Sequence, residues 1–168
     1  MQRSNVIPVV LASVAVLLLA GPGEAMAEHE SAPASASPRA SRDAAPAAAG
    51  RATVKVMNTR YGRILTDGNG RALYLFTRDE RGPSRCYGDC AREWPPLYTT
   101  SAPRADGAAR GGLLDTVTRR NGRKQVTYRG QPLYYYVGDS RPGEVLCQNV
   151  FEFGGLWLVL RANGRAVR

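Results

Sequence analysis

Two aspartates sixty residues apart close the same short pattern, Asp79 in Tyr74-Leu75-Phe76-Thr77-Arg78-Asp79 and Asp139 in Tyr134-Tyr135-Tyr136-Val137-Gly138-Asp139. Two carboxyl groups facing one cleft can serve as general acid and base, the arrangement that cleaves glycosidic bonds. Cys86, Cys90 and Cys147 offer a second chemistry, thiol–disulfide exchange or electron transfer. The single histidine, His29, precedes all of these in an Ala/Pro/Ser-rich stretch. Within the domain that removes Ser-His-Asp and Cys-His catalysis, together with histidine-built metal sites. No Cys-x-x-Cys-His run offers covalent haem attachment, and Gly68-x-Gly70 sits in a turn rather than in a phosphate loop after a strand. No metal, cofactor or catalytic residue is assigned on this pattern.

Each chemistry has a structural counterpart that the spacing favours. An aspartate opening a turn can accept a hydrogen bond from its own backbone two residues on. Both copies continue Asp-x-Arg, so Arg81 and Arg141 stand where they could pair with Asp79 and Asp139. A carboxylate hydrolase therefore ranks below a pair of turn-capping acids. For the cysteines, an oxidising location favours a Cys86–Cys90 bond across a loop eased by Gly88. Cys147 makes the count odd, and is a buried thiol, an alternative partner for Cys86 or Cys90, or a handle for another chain. The spacing is Cys-x3-Cys with no α/β pattern around it, which ranks a redox or electron-transfer accessory second to a structural bond.

The elements that must position these residues are strands. Val54-Lys55-Val56 alternates, and Tyr61 to Thr66 forms a second strand closed by Asp67-Gly68-Asn69-Gly70, with Arg71 to Thr77 returning as the other arm of a hairpin. Leu113 to Thr118 and Lys124 to Tyr128 flank Arg119-Arg120-Asn121-Gly122, a further hairpin signal, with the basic pairs Arg119-Arg120 and Arg123-Lys124 around its turn. Pro132 to Val137 and Leu156 to Leu160 complete the set, and Asn163-Gly164 turns the chain once more. No stretch sustains helical periodicity; Asp89 is expected to cap one helical turn that Pro95 stops. The fold class is all-β: one compact domain of two pseudo-repeated antiparallel hairpin units, with copies at about 61–97 and 121–160. Period-two geometry puts Tyr74 and Phe76 on one face and Leu73, Leu75 and Thr77 on the other. Likewise Tyr134 and Tyr136 oppose Leu133, Tyr135 and Val137. Such paired rings are expected to be core, with an exposed platform for sugar or peptide as the alternative. Trp94 and Trp157 are the other large rings to place.

At 168 residues the chain has room for one domain and appendages. Residues 1–27 read as an export signal: Arg3, then an apolar run from Val6 to Ala20, then Ala25-Met26-Ala27. Residues 28–52 read as a disordered Ala/Pro/Ser-rich linker, and 53–168 as the domain. The net charge of +9 falls entirely on that domain, which carries 17 arginines. An exported basic domain suits an anionic envelope polymer or another envelope protein, with no specific nucleic acid and with a membrane only if the signal stays uncleaved. No cysteine near the signal offers a lipid anchor, so the expected location is secreted or cell-surface.

The chain resembles the bacterial secreted-repeat family, often called lipoproteins with a Y-x-(F/W/Y)-x-x-D motif. The resemblance rests on Tyr74-x-Phe76-x-x-Asp79 and Tyr134-x-Tyr136-x-x-Asp139, Gly62 to Asp67, the Cys86/Cys90/Trp94-Pro95-Pro96-Leu97 run, Gln125 to Tyr128, and Gly154-Gly155-Leu156-Trp157. It covers about residues 61 to 164 and implies a bacterial, exported, cell-envelope protein of a family without a settled biochemical role. The chain departs from it in lacking the lipid-anchoring cysteine of many members and in carrying Cys147 where the family tends to have glycine. The expected function is a non-catalytic binding or structural module of the envelope.

Overall fold

The protein is described by a computed structural model over residues 50–168. The signal segment and all but the last three residues of the linker lie outside the described residues.

Strand β1 (Thr53–Thr59) pairs antiparallel with β2 (Gly62–Asp67), from Val54 opposite Asp67 to Thr59 opposite Gly62. The second copy repeats this hairpin as β6 (Leu114–Thr118) on β7 (Lys124–Tyr128). Between them lie β3 (Tyr74–Phe76), helix α1 (Asp89–Glu93), β4 (Tyr98–Thr99) and β5 (Arg104–Ala105). After them come β8 (Gln131–Pro132), β9 (Val150–Glu152) and β10 (Gly155–Val159). Three small sheets result, ordered β2-β1-β5, β3-β10-β9 and β4-β7-β6, with β8 pairing the Thr127–Tyr128 end of β7. The all-β expectation holds, and α1 is the single helical turn expected before Pro95. Its N-cap is Gly88 at φ +57 rather than Asp89, which is the first helical residue.

The turn after β2 does what its residues require. Asp67 Oδ1 accepts the backbone N–H groups of Asn69 and Arg71, each at 2.9 Å. The returning arm then departs from the expected hairpin. It touches β2 around the Thr66–Ala72 bridge, through Asp67 N–H to Arg71 C=O at 2.9 Å and Leu73 N–H to Leu65 C=O at 3.1 Å, after which Tyr74–Phe76 joins β10. The reason is a competition for edges. Leu65 N–H is already bonded to Leu160 C=O at 2.8 Å, so the tail of the second copy occupies the place beside β2.

The first copy does the same to the second. Val126 N–H donates to Leu97 C=O at 2.8 Å, and β4 lies along β7. Each copy thus ends by entering the other's hairpin. At the centre Tyr74 and Tyr134 form an antiparallel bridge, each backbone N–H donating to the other's C=O at 2.9 Å. The two copies meet there about a pseudo-twofold axis. Alternation then separates two cores. One holds Tyr74, Phe76, Tyr134, Trp94 and Trp157, with Tyr136 packed against it; the other holds Leu73, Leu75, Leu133 and Leu158, with Tyr135 against it.

Candidate functional site

The motif residues converge, but across the copies. Tyr74 Oη donates to Asp139 Oδ2 at 2.6 Å, and Tyr134 Oη donates to Asp79 Oδ2 at 2.6 Å. The second oxygen of each acid accepts a backbone N–H from the loop that follows it, Asp79 from Arg85 at 2.7 Å and Asp139 from Leu146 at 2.9 Å. Both aspartates are 2% exposed and both tyrosines 0%. One copy's tyrosine thus fixes the other copy's loop, through an acid whose two oxygens are both engaged by the protein itself.

Arg81 and Arg141 do not form the expected pairs with these acids. Both are exposed, and the one ion pair among the described residues is Arg92–Asp89. A tyrosine hydroxyl wins the position because a buried ring brings its own desolvated donor. A guanidinium there would have to give up its water as well.

The rings obey the same exchange. Phe76 stacks on Trp157 at 4.2 Å, Trp157 on Trp94 at 4.0 Å, and Tyr136 lies tilted over Trp94 at 4.8 Å. Tyr74 and Tyr134 meet the tryptophan of their own copy edge-on, each at 5.2 Å. The column Phe76–Trp157–Trp94–Tyr136 therefore alternates between the copies at every step, and all three of its contacts cross from one copy to the other. Gly155 permits it, because a Cβ there would come within 2.6 Å of the Phe76 ring. Trp94 Nε1 donates to Glu152 at 3.0 Å. The rings fill the core as expected, and Tyr136 alone of the four motif aromatics is only part-buried.

The cysteines follow the repeat too. Cys86 and Cys90 are bonded, with Cα atoms 5.2 Å apart. Cys86 follows Arg85, the donor to Asp79, just as Cys147 follows Leu146, the donor to Asp139. Cys147 is thus the second copy's counterpart of Cys86, and it is free. Burial pushes its thiol up, with its Tyr136 hydrogen bond pulling partly back. That bond and then burial push the Tyr136 phenol up to about 12. A part-buried thiol with Glu152, Asp139 and Glu93 as the charges acting on it is the reverse of the electropositive, accessible setting that makes sulfur reactive.

Nothing in its sequence context sets Arg119 apart from the other basic residues of its turn, yet it is buried while Arg120 to Lys124 are exposed. It is 4% exposed. Its Nη1 donates to Ser84 Oγ at 2.6 Å and Gln125 Oε1 at 2.7 Å, and its Nη2 to the Cys86 carbonyl. Its guanidinium also lies 4.4 Å from the Tyr87 ring centroid. Ser84 Oγ lies 2.7 Å from Tyr134 Oη, so the cation reaches Asp79 through a chain of hydroxyls. Asp139 has no such relay; Arg71 acts on it only through space. Among the described residues no three His, Cys, Asp or Glu side chains gather as a metal-binding group.

Burial holds both motif acids above the ordinary aspartate range. Their tyrosine and backbone donors pull the other way without cancelling it. A carboxyl raised in the folded state contributes stability that is complete below its unfolded value and is lost as pH rises through the folded value. The difference in unfolding free energy between the wild type and an Asp79→Asn/Asp139→Asn variant should therefore fall as pH rises above about 4. Urea midpoints at a series of pH values measure this. A difference that grows with pH contradicts the burial account.

The model of a secreted repeat of unknown function matches twice, over residues 55–98 and 115–161, together more than half of the chain. Those bounds take in all but the first residues of the two hairpins, together with Tyr74, Tyr134 and both tryptophans. No curated protein and no solved structure matches the chain. Among the described residues no helix is long and apolar enough to cross a membrane. Two matches in the right order, on two copies that complete one another, place this chain in the family of secreted repeats of unknown function.

Proposed function

We propose that the protein is an exported, non-catalytic module of the cell envelope that binds an anionic envelope polymer. In this reading residues 1–27 direct export, and residues 28–52 tether the domain at the surface or leave with it on release. The observation that carries the reading is the use made of the motif groups. Each acid gives one oxygen to a tyrosine and the other to a backbone amide, and both acids are buried. A general acid or base needs a proton path to substrate, and these oxygens have none to spare. The chemistry-bearing residues hold the body together, and the excess arginine of the domain is left to face outward.

Co-sedimentation of the exported protein with isolated envelopes tests this. Binding is expected in dilute buffer and release at about 0.5 M salt, where charge attraction is screened over a few ångströms. Failure to sediment, or retention unaffected by salt, overturns the reading.

A further inference from the structure

Five arginines, Arg81, Arg129, Arg161, Arg165 and Arg168, converge on one cleft of about 750 Å3. Its lining includes Leu75 and Leu158, register partners on the side of β3 and β10 that carries the aliphatic core rather than the stacked rings. None of the described residues lining it is acidic, and none is aromatic. All five arginines are exposed, and the one ion pair among the described residues involves none of them.

Two of the five are held there against backbone preference. Arg81 has φ +55 and Arg129 has φ +53, the left-handed region that glycine or asparagine occupies more cheaply. The Arg129 stem lies along Gly164, where a Cβ would come within 2.8 Å of it, and its Nη1 donates to Asn163 C=O at 3.1 Å. Like charges gathered in a concavity repel one another, and unfavourable backbone adds to that cost. Both are offset when an anion occupies the site.

We infer that this cleft binds a ligand carrying at least two phosphoryl groups on a non-aromatic backbone, an inference that rests on the envelope-binding reading above. The planar guanidinium fork matches phosphoryl oxygens two at a time. One phosphoryl group has too few oxygens to engage five such forks, so the cleft calls for several groups in a row. Single-stranded nucleic acid is disfavoured because its bases need rings to stack on, and the lining has none. A phosphodiester polymer and a phospholipid surface share the required chemistry.

The exported protein should bind sodium tripolyphosphate in calorimetry. Arg161→Gln/Arg165→Gln should weaken that binding at least about tenfold, about 1.4 kcal/mol, since two charge-assisted forks are lost. Arg104→Gln/Arg110→Gln, which removes two exposed arginines outside the cleft, should change it less than twofold. Matching thermal midpoints show that both variants are folded. Sedimentation with phosphatidylglycerol vesicles, against phosphatidylcholine vesicles, separates the sources: binding that the cleft variant loses assigns a lipid, and its absence assigns a soluble polymer. Equal losses in the two variants, no tripolyphosphate binding, or equally tight binding of polygalacturonate overturns the inference. Envelope sedimentation keeps the two proposals apart. If the cleft variant sediments as the wild type does, the site is wrong and the envelope reading survives. If the wild type binds tripolyphosphate through the cleft but no envelope, the site survives and the envelope reading falls.

Discussion

Trp157→Ala should lose about 3–5 kcal/mol of stability, and Trp94→Ala the same. Both rings are 0% exposed and stack on each other at 4.0 Å. Truncation removes the buried surface and leaves a cavity that cannot easily close. Around Trp157, Phe76 is held by β3 and Tyr134 by its bond to Asp79, so neither ring is free to fill the gap. A domain of this size has about 5–15 kcal/mol in total, so either substitution removes a large share. Urea unfolding followed by near-ultraviolet circular dichroism measures the loss. Phe151→Ala is the control: that ring is 69% exposed and its removal should cost less than about 0.5 kcal/mol. A cost below about 1 kcal/mol at both tryptophans would mean that the column is not what joins the copies.

Removing either motif acid should be nearly as costly. Asp139→Ala leaves the Tyr74 hydroxyl and the Leu146 N–H without the acceptor they share. The orphaned buried hydroxyl costs about 1–3 kcal/mol and the part-buried Leu146 N–H adds up to about 1 more, for a sum on the order of 2–4. Asp79→Ala orphans Tyr134 and Arg85 in the same way, and it also removes the negative charge that acts on buried Arg119. The first copy's acid should therefore be the more expensive to lose. The sign of the effect separates this account from the hydrolase. Acids kept for catalysis tend to cost stability, so replacing them commonly stabilises a protein. Thermal unfolding of the two alanine variants decides it, and a raised midpoint in either contradicts a structural role.

Much of this was legible in the chain. Alternation through Leu73 to Thr77 and Leu133 to Val137 correctly separated the aromatic core from the aliphatic one, because period two is a local property. The β6–β7 hairpin, the helical turn before Pro95 and the Cys86–Cys90 bond were equally local. What could not be read was which copy each group serves. A tyrosine five residues before an aspartate suggests a bond within the copy, and only the central Tyr74–Tyr134 bridge reveals that the partners are exchanged. The Arg71 to Thr77 arm leaves its expected hairpin for the same reason, since its competitor for β2 arrives with Leu160. Arg119 sat in what reads as a charged turn, and nothing nearby announces that Ser84, Gln125 and the Cys86 carbonyl will enclose it. The repeat spacing itself carries one more signal. Cys147 lies sixty-one residues after Cys86, one more than the motif period, which marks it as the repeat counterpart of Cys86.

The central claim is that each copy's tyrosine serves the other copy's acid. Double-mutant cycles test it directly, with Tyr→Phe and Asp→Ala changes made singly and together and unfolding free energies measured in urea. The exchanged pairs, Tyr74 with Asp139 and Tyr134 with Asp79, should show coupling of about 1.5–3 kcal/mol, as expected for a hydrogen bond to a charged group. The pairs within one copy, Tyr74 with Asp79 and Tyr134 with Asp139, should couple by less than about 0.5 kcal/mol. Stronger coupling within the copies than between them would contradict the interlocked fold.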